Sequence, residues 1–290
     1  MWAFTLAREG IMAPVVAVIA PGAMGAAVGK RLAERGVKVL TSLQGRSRET
    51  AARATDARMA AASDEEIAAA DFILSILPPG EALALARRFV GALAAGNGKP
   101  IYVDCNAINP ATVERVAAAI APTGCPFVDV GIIGAPAAPR FYASGPAAPR
   151  LAMLRDYGLD VRVLEGSLSA ASALKMSYAG ITKGAQAIGA AMMLAATRAG
   201  SAEALLAELQ CSQKEMLGWF RRSLATMPPK AYRWVAEMHE IADFVGEDPA
   251  ARELYKGAAA FYEHVAEDFA TDKKNVSALM DFLGKASAGR

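Results

Sequence analysis

An apolar β-run that breaks into a glycine-bearing turn and then a helix leaves few architectures open to a chain. Residues 15–25 read Val-Val-Ala-Val-Ile-Ala-Pro-Gly-Ala-Met-Gly. Residues 15–20 are β-rich and bounded by Pro14 and Pro21, whereas residues 23–35 place Ala26, Ala27, Leu32 and Ala33 on one helical face before Gly36 stops it. A second β-run, residues 37–43, follows. Strand, turn, helix and strand within about thirty residues make a βαβ unit. Its turn matches Gly-x-Gly-x-x-Gly at the second and third positions, Gly22 and Gly25, with Ala20 at the first. Gly22 lets backbone N–H groups approach a pyrophosphate at the positive helix N-terminus, and Gly25 lets that helix lie close to the strand. Ala20 serves the tight turn if φ stays negative there. Ala20, Pro21, Gly22, Ala23, Met24 and Gly25 are therefore the expected dinucleotide contacts.

The end of the second β-run selects the dinucleotide. An acid there holds the ribose 2′-hydroxyl of NAD, whereas an arginine takes a 2′-phosphate. The chain reads Leu40-Thr41-Ser42-Leu43-Gln44-Gly45-Arg46-Ser47-Arg48, with no acid before Glu49. Arg46 and Arg48 supply charge-assisted donors and Ser42 and Ser47 neutral ones, so NADP(H) is favoured over NAD(H). The competing reading makes both arginines solvated loop residues.

The remainder alternates β-runs with helical patterns as far as residue 166 and is helical from Ser167 onward. β-runs are expected at residues 58–61, 71–77, 100–104, 127–130, 140–144 and 160–164. Ser63 and Glu66 form a capping box that opens a short helix. The expected fold is α/β: a Rossmann-type, mostly parallel, doubly wound sheet over residues 14–166, then an all-α domain over residues 167–290. Residues 1–13 read as an N-terminal extension, with Met1 and Met12 both sensible starts. Net charge is +2 with no basic run, which argues against a nucleic-acid partner. No apolar run reaches the roughly 18 to 20 residues of a membrane span. Cys105, Cys125 and Cys211 are widely spaced and read as buried free thiols of a reducing, cytoplasmic compartment. Two histidines without ligand spacing give no metal site. The segment 168–199 reads as one long helix whose small residues, Ala170, Ala173, Ala185 and Gly189, admit a close neighbour, and a homodimer is expected on it.

In an open α/β sheet the ligand lies beyond the carboxyl ends of the strands. The loops there begin at Leu77 and Pro78, at Asn106, and at residues 131–136. Leu77, Pro78 and Asn106 join the cofactor candidates. A proton donor for a reacting carbonyl is found in Lys175, set among apolar and small residues early in the long helix. Such an ammonium either takes part in the reaction or snorkels to solvent. Trp219, Tyr232, Trp234, His239 and Phe244 either line a pocket or build the helical core.

Met24-Gly25 at the turn, Pro78 after the fourth β-run, the Asp129 to Gly134 segment and Lys175 in a long helix together resemble the β-hydroxyacid dehydrogenases, relatives of 6-phosphogluconate dehydrogenase. Arg46-Ser47, Ser172-Ala173-Leu174-Lys175-Met176 and Lys230-Ala231-Tyr232-Arg233-Trp234 resemble a subgroup whose C-terminal domain has no assigned function. The resemblance implies a cytoplasmic NADPH-dependent dehydrogenase, homodimeric through its helical domain, with Lys175 as general acid. It also implies an asparagine one helical turn later, where this chain has Ala179, so Tyr178 or Lys183 is the expected substitute. The family's Ser-Gly-Gly substrate segment is replaced around Ile132, Ile133 and Gly134, which suggests a substrate less polar than a small hydroxyacid. Two other readings stay open: an NADP-binding sensor without turnover, and an imine reductase, in which the lysine is usually replaced.

Overall fold

The computed structural model describes residues 13–285, so the expected extension, residues 1–13, lies outside the described residues except for Ala13. The chain divides into two compact units. The first comprises residues through Leu77, Glu81–Asn106 and Thr112–Ser172, and the second Pro78–Gly80, Ala107–Ala111 and residues from Ala173 onward.

In the first unit the elements run β1 (Val15–Ile19), α1 (Ala23–Ala33), β2 (Lys38–Thr41), α2 (Arg48–Asp56), β3 (Ala60–Ala61), α3 (Asp64–Ala68), β4 (Phe72–Ser75), α4 (Ala82–Ala95), β5 (Ile101–Asp104), α5 (Pro110–Ile120), β6 (Phe127–Ile133), β7 (Arg140–Ser144), α6 (Ala148–Leu151) and β8 (Asp160–Val163). They form one sheet of order β3-β2-β1-β4-β5-β6-β7-β8. The strands are parallel except at the β6–β7 pair. Order reverses between β1 and β4, the switch point at which such sheets take ligands. The central strands are apolar on both faces, and Val16, Val18, Leu74, Val103 and Val130 join Val28 and Leu32 of α1 in one core.

The second unit contains most of α7 (Ala170–Arg198), then α8 (Ala202–Ser212), α9 (Lys214–Leu224), α10 (Ala231–Phe244), α11 (Pro249–Ala270) and α12 (Lys274–Lys285). Met176, Ala179, Met193, Phe220, Met238, Ile241 and Tyr262 lie in its core. Among the described residues no helix is long and apolar enough to cross a membrane.

Three expectations need correction. Residues 131–133, read as loop, continue β6, because the run Phe127–Ile133 pairs antiparallel with β7 from Asp129↔Ser144 to Ile133↔Arg140. The helix α2 was not foreseen. Its sequence Arg-Glu-Thr-Ala-Ala-Arg-Ala-Thr-Asp buries only Ala54, too narrow a stripe to read as amphipathic. Cys105 and Cys125 are buried free thiols, but Cys211 is exposed near the end of α8.

Candidate functional site

The turn after β1 is built as a cradle. Gly22 caps α1 in an extended conformation, φ −70° and ψ −173°, and a Cβ placed on it would meet nothing within 4 Å. A Cβ on Gly25 would lie 2.0 Å from the Ala20 carbonyl oxygen, so α1 sits as near the end of β1 as a bare backbone permits. Ala20 is absent from the residues with positive φ, which fits alanine in the first motif position. The first turn of α1 offers N–H groups that a helix cannot satisfy internally. The open face at Gly22 and the closed one at Gly25 therefore fit a dinucleotide pyrophosphate.

At the end of β2 the Thr41 hydroxyl donates to the Val18 carbonyl over 2.8 Å, tying the strand to β1. Ser42 is buried, and its hydroxyl accepts from Nη2 of Arg88 at 2.8 Å. Ser47 caps α2, its oxygen accepting from the Thr50 N–H, and so also has a local structural job. Arg46 and Arg48 are both exposed on either side of it. Glu49, the first acid after β2, is paired with Arg53 at 2.6 Å.

Beyond β4 and β5 the candidates Leu77 and Asn106 meet. The Asn106 Oδ1 accepts from the Leu77 N–H at 2.6 Å, while its Nδ2 donates to Ser75 Oγ at 2.9 Å and to Asp104 Oδ2 at 3.0 Å. The Asn106 side chain is thus a brace between two strand ends. Pro78 belongs to the second unit. Two buried carboxylates accompany the brace. Burial pushes Asp104 up to about 7 and Asp129 up to about 6. Asp129 accepts from both the N–H and the hydroxyl of Ser172, each at 2.7 Å. Asp104 ends β5 and Asp129 is the third residue of β6; of the two, only Asp129 is marked in the sequence, through the resemblance of the Asp129 to Gly134 segment.

Ile132 packs into the core of the first unit, and Ile133 is buried beside it. Gly134 has φ +114°, and a Cβ there would lie 2.8 Å from the Ala138 carbonyl oxygen, so it is required by the turn into β7.

In the second unit, α7 carries Lys175, Tyr178, Ala179 and Lys183. Burial lowers Lys175 from the ordinary lysine value to about 8, which suits an acid working near neutrality. Ala179 is core, whereas Tyr178 is exposed. Lys183 forms an ion pair with Glu237, lies 4.9 Å from the centre of the Trp234 ring, and gives its carbonyl to the Tyr262 hydroxyl at 2.6 Å. Burial and the charges of Lys175, Arg233 and Lys230 push its ammonium well below the ordinary value, against the pull of Glu237. Trp219, Trp234 and Phe244 pack on the helical core, while Tyr232 and His239 are exposed. Those five residues therefore do not form one pocket wall.

Residues 15–141 match the family model described as the NAD binding domain of 6-phosphogluconate dehydrogenase, and residues 196–265 match a domain of unknown function, DUF1932. The chain is similar to MTH1747, a conserved protein of unknown function whose structure was described as similar to 3-hydroxyacid dehydrogenases. Identity is 30%, with 87% of this chain and 96% of that one covered, at a TM-score of 0.67. It is 26% identical to an uncharacterized 28.5 kDa protein of Methanothermus fervidus, over 80% of this chain and 91% of that protein. Its fold also matches the 3-hydroxyisobutyrate dehydrogenase of Mycobacterium tuberculosis at a TM-score of 0.66, with 21% identity over 93% of this chain and 99% of that one. With that sheet order, that turn and these matches, the chain belongs to the hydroxyacid dehydrogenase-like family built on the NAD-binding domain of 6-phosphogluconate dehydrogenase, in the branch that carries the DUF1932 domain.

Proposed function

We propose that the protein is an NADPH-dependent oxidoreductase acting on a carbonyl or hydroxyl carbon, with Lys175 as general acid in reduction and general base in oxidation. The observation that carries this reading is the cradle at Gly22 and Gly25, which has room for a pyrophosphate and none for a side chain at position 25. Residues 20–25 hold the diphosphate, and Ser42, Arg46, Ser47 and Arg48 face the adenosine ribose. When bound, the nicotinamide gives up or receives the hydride. Lys175 delivers a proton to the carbonyl oxygen as the carbon is reduced, and takes it back from the hydroxyl in the other direction. An ammonium lowered to about 8 exchanges that proton readily near neutral pH. The retained lysine speaks against imine reduction. Ile132 and Ile133 are buried in β6, Ile132 within the core of the first unit, so the expected less polar substrate draws no support from them.

The test is a binding and turnover experiment. NADPH and NADH affinities are measured by nicotinamide fluorescence, and turnover by absorbance with a panel of aldehydes, 2-ketoacids and 3-ketoacids. Tighter NADPH binding with oxidation on at least one substrate is the expected result, and equal affinities reject the cofactor assignment. A second reading, a sensor without turnover, is favoured by one observation: position 179 is apolar core and offers no substrate contact. That reading predicts NADPH binding with no oxidation across the panel. A cytoplasmic homodimer completes the proposal. It is supported by the exposed apolar side chains Tyr178, Ile181, Ile188 and Met192 along α7, and the proposed occupant of that face is a second copy of the chain.

A further inference from the structure

The carboxyl ends of β2 and β3 hold a group that the site as described leaves unused. The Arg88 guanidinium, from α4, grips Asp64 with both arms, Nε to Oδ2 at 2.8 Å and Nη2 to Oδ1 at 2.6 Å. The same Nη2 reaches Ser42 Oγ at 2.8 Å and Gln44 Oε1 at 3.0 Å. Ser42, Gln44, Ala62, Ser63, Asp64, Glu65 and Arg88 line a cavity of about 230 Å³ at this spot. Ser42 directly follows β2, so the cavity opens where a dinucleotide fold reads the adenosine ribose.

Charge decides what that position accepts. A free carboxylate there takes hydrogen bonds from ribose hydroxyls and repels a 2′-phosphate. Asp64 brings a carboxylate to this position from the start of α3 rather than from the end of β2. It is not free, because Arg88 meets it in the bidentate geometry that most fully satisfies a carboxylate. Glu49, on the other side of Arg46 and Arg48, is likewise paired, with Arg53. Glu65 is exposed and screened by solvent. Of the acids near the two arginines of the loop, Asp64 and Glu49 are thus each held by another arginine, and Glu65 stands in solvent at the cavity edge.

We infer that Arg88 is a specificity-determining residue. By pairing Asp64 it withholds a carboxylate from the end of β2, and by donating to Ser42 and Gln44 it fixes the start of the loop that carries Arg46 and Arg48. NADP(H) is thereby preferred over NAD(H). The inference rests on the cofactor reading proposed above. Arg88 acts through Asp64 and the loop as a positioning residue, so changing it alters the ratio of the two affinities more than the fold.

The experiment measures NADPH and NADH dissociation constants by nicotinamide fluorescence for the unaltered protein, Arg88→Met, Asp64→Asn and the double variant, with thermal unfolding of each. Arg88→Met lowers the NADPH-over-NADH ratio tenfold or more, mainly through weaker NADPH binding. Asp64→Asn, which frees the cation, raises the ratio. The double variant recovers a large part of what Arg88→Met loses, a rescue that general structural damage would not produce. An unchanged ratio in Arg88→Met overturns the inference, as does a loss equally large in the double variant. If Arg88→Met does not fold, Asp64→Asn decides: a raised ratio supports the inference and a lowered one refutes it. Equal affinities in the unaltered protein reject the cofactor reading instead, and that outcome is distinct from the others.

Discussion

Lys175→Met tests the buried ammonium without knowledge of the substrate. Burial lowers Lys175 from 10.5 to about 8, and a pKa unit is worth about 1.4 kcal/mol, so the folded state bears a cost of roughly 3 kcal/mol for that charge. Below pH 8 the side chain is protonated in both states and the cost is complete. Between pH 8 and 10.5 the unfolded chain binds the extra proton, stability rises with pH, and the cost fades. Methionine has similar length and no charge. Lys175→Met is therefore expected to be about 3 kcal/mol more stable than the unaltered protein at pH 7, and about 1 kcal/mol more stable at pH 10. Urea unfolding at the two pH values measures both gaps. A variant less stable at pH 7, or a gap the same at both pH values, refutes the reasoning. Where a substrate is in hand, reduction slows about tenfold from pH 7 to pH 9 as the acid is lost, and Lys175→Met shows about a hundredfold lower rate with no such slope.

Gly22→Val is expected to abolish dinucleotide binding, read by nicotinamide fluorescence, while stability stays within about 1 kcal/mol, since its Cβ has open space. Gly25→Ala forces a Cβ against the Ala20 carbonyl and is expected to cost about 2 kcal/mol or more in urea unfolding. Changing Arg46 and Arg48 together to Ala should erase most of the NADPH preference, because charge-assisted phosphate contacts contribute about 1.5 to 3 kcal/mol each. Light scattering at micromolar concentration should give twice the chain mass of 30.2 kDa, and a value at the single-chain mass rejects the dimer.

Legibility in the sequence followed the range of the forces involved. The β1 turn, the Ser63 capping box and the strands from β4 to β8 are local, and short apolar runs or cap residues announced them. The extension of β6 through Ile133 was not announced, because Gly131 reads as a loop residue until the pairing with Tyr142 is known. The helix α2 escaped for lack of an apolar stripe, and with it the capping role of Ser47. Arg88 lies 46 residues from Ser42 and 24 from Asp64, and Glu237 lies on a different helix from Lys183. No spacing rule joins such residues. Asn106 is expected as a cofactor contact from its place after β5, and its side chain holds Leu77, Ser75 and Asp104, partners that no spacing announces.

The long helix shows how a correct element can be given the wrong reason. Small residues along α7 suggested a close approach by another helix, and the approach is made within the chain itself. A Cβ on Gly180 would lie 2.9 Å from the Tyr255 hydroxyl and one on Gly184 3.3 Å from the same ring. A Cβ on Gly189 would lie 2.4 Å from Phe220. These glycines are therefore spent on α11 and α9, and they carry no argument for a second subunit. What α7 leaves uncovered are large side chains: Ile181 at 72% exposure, Met192 at 59%, Ile188 at 54% and Tyr178 at 46%. Their spacing of three, seven and four residues keeps them on one stripe. Full burial of an isoleucine or methionine side chain is worth about 1.5 to 3 kcal/mol, so such a stripe is costly to leave in water. The proposed two-fold contact consequently rests on bulky apolar side chains meeting their own copies, and Ile181 together with Ile188, rather than any glycine, is where a charged residue would separate the subunits.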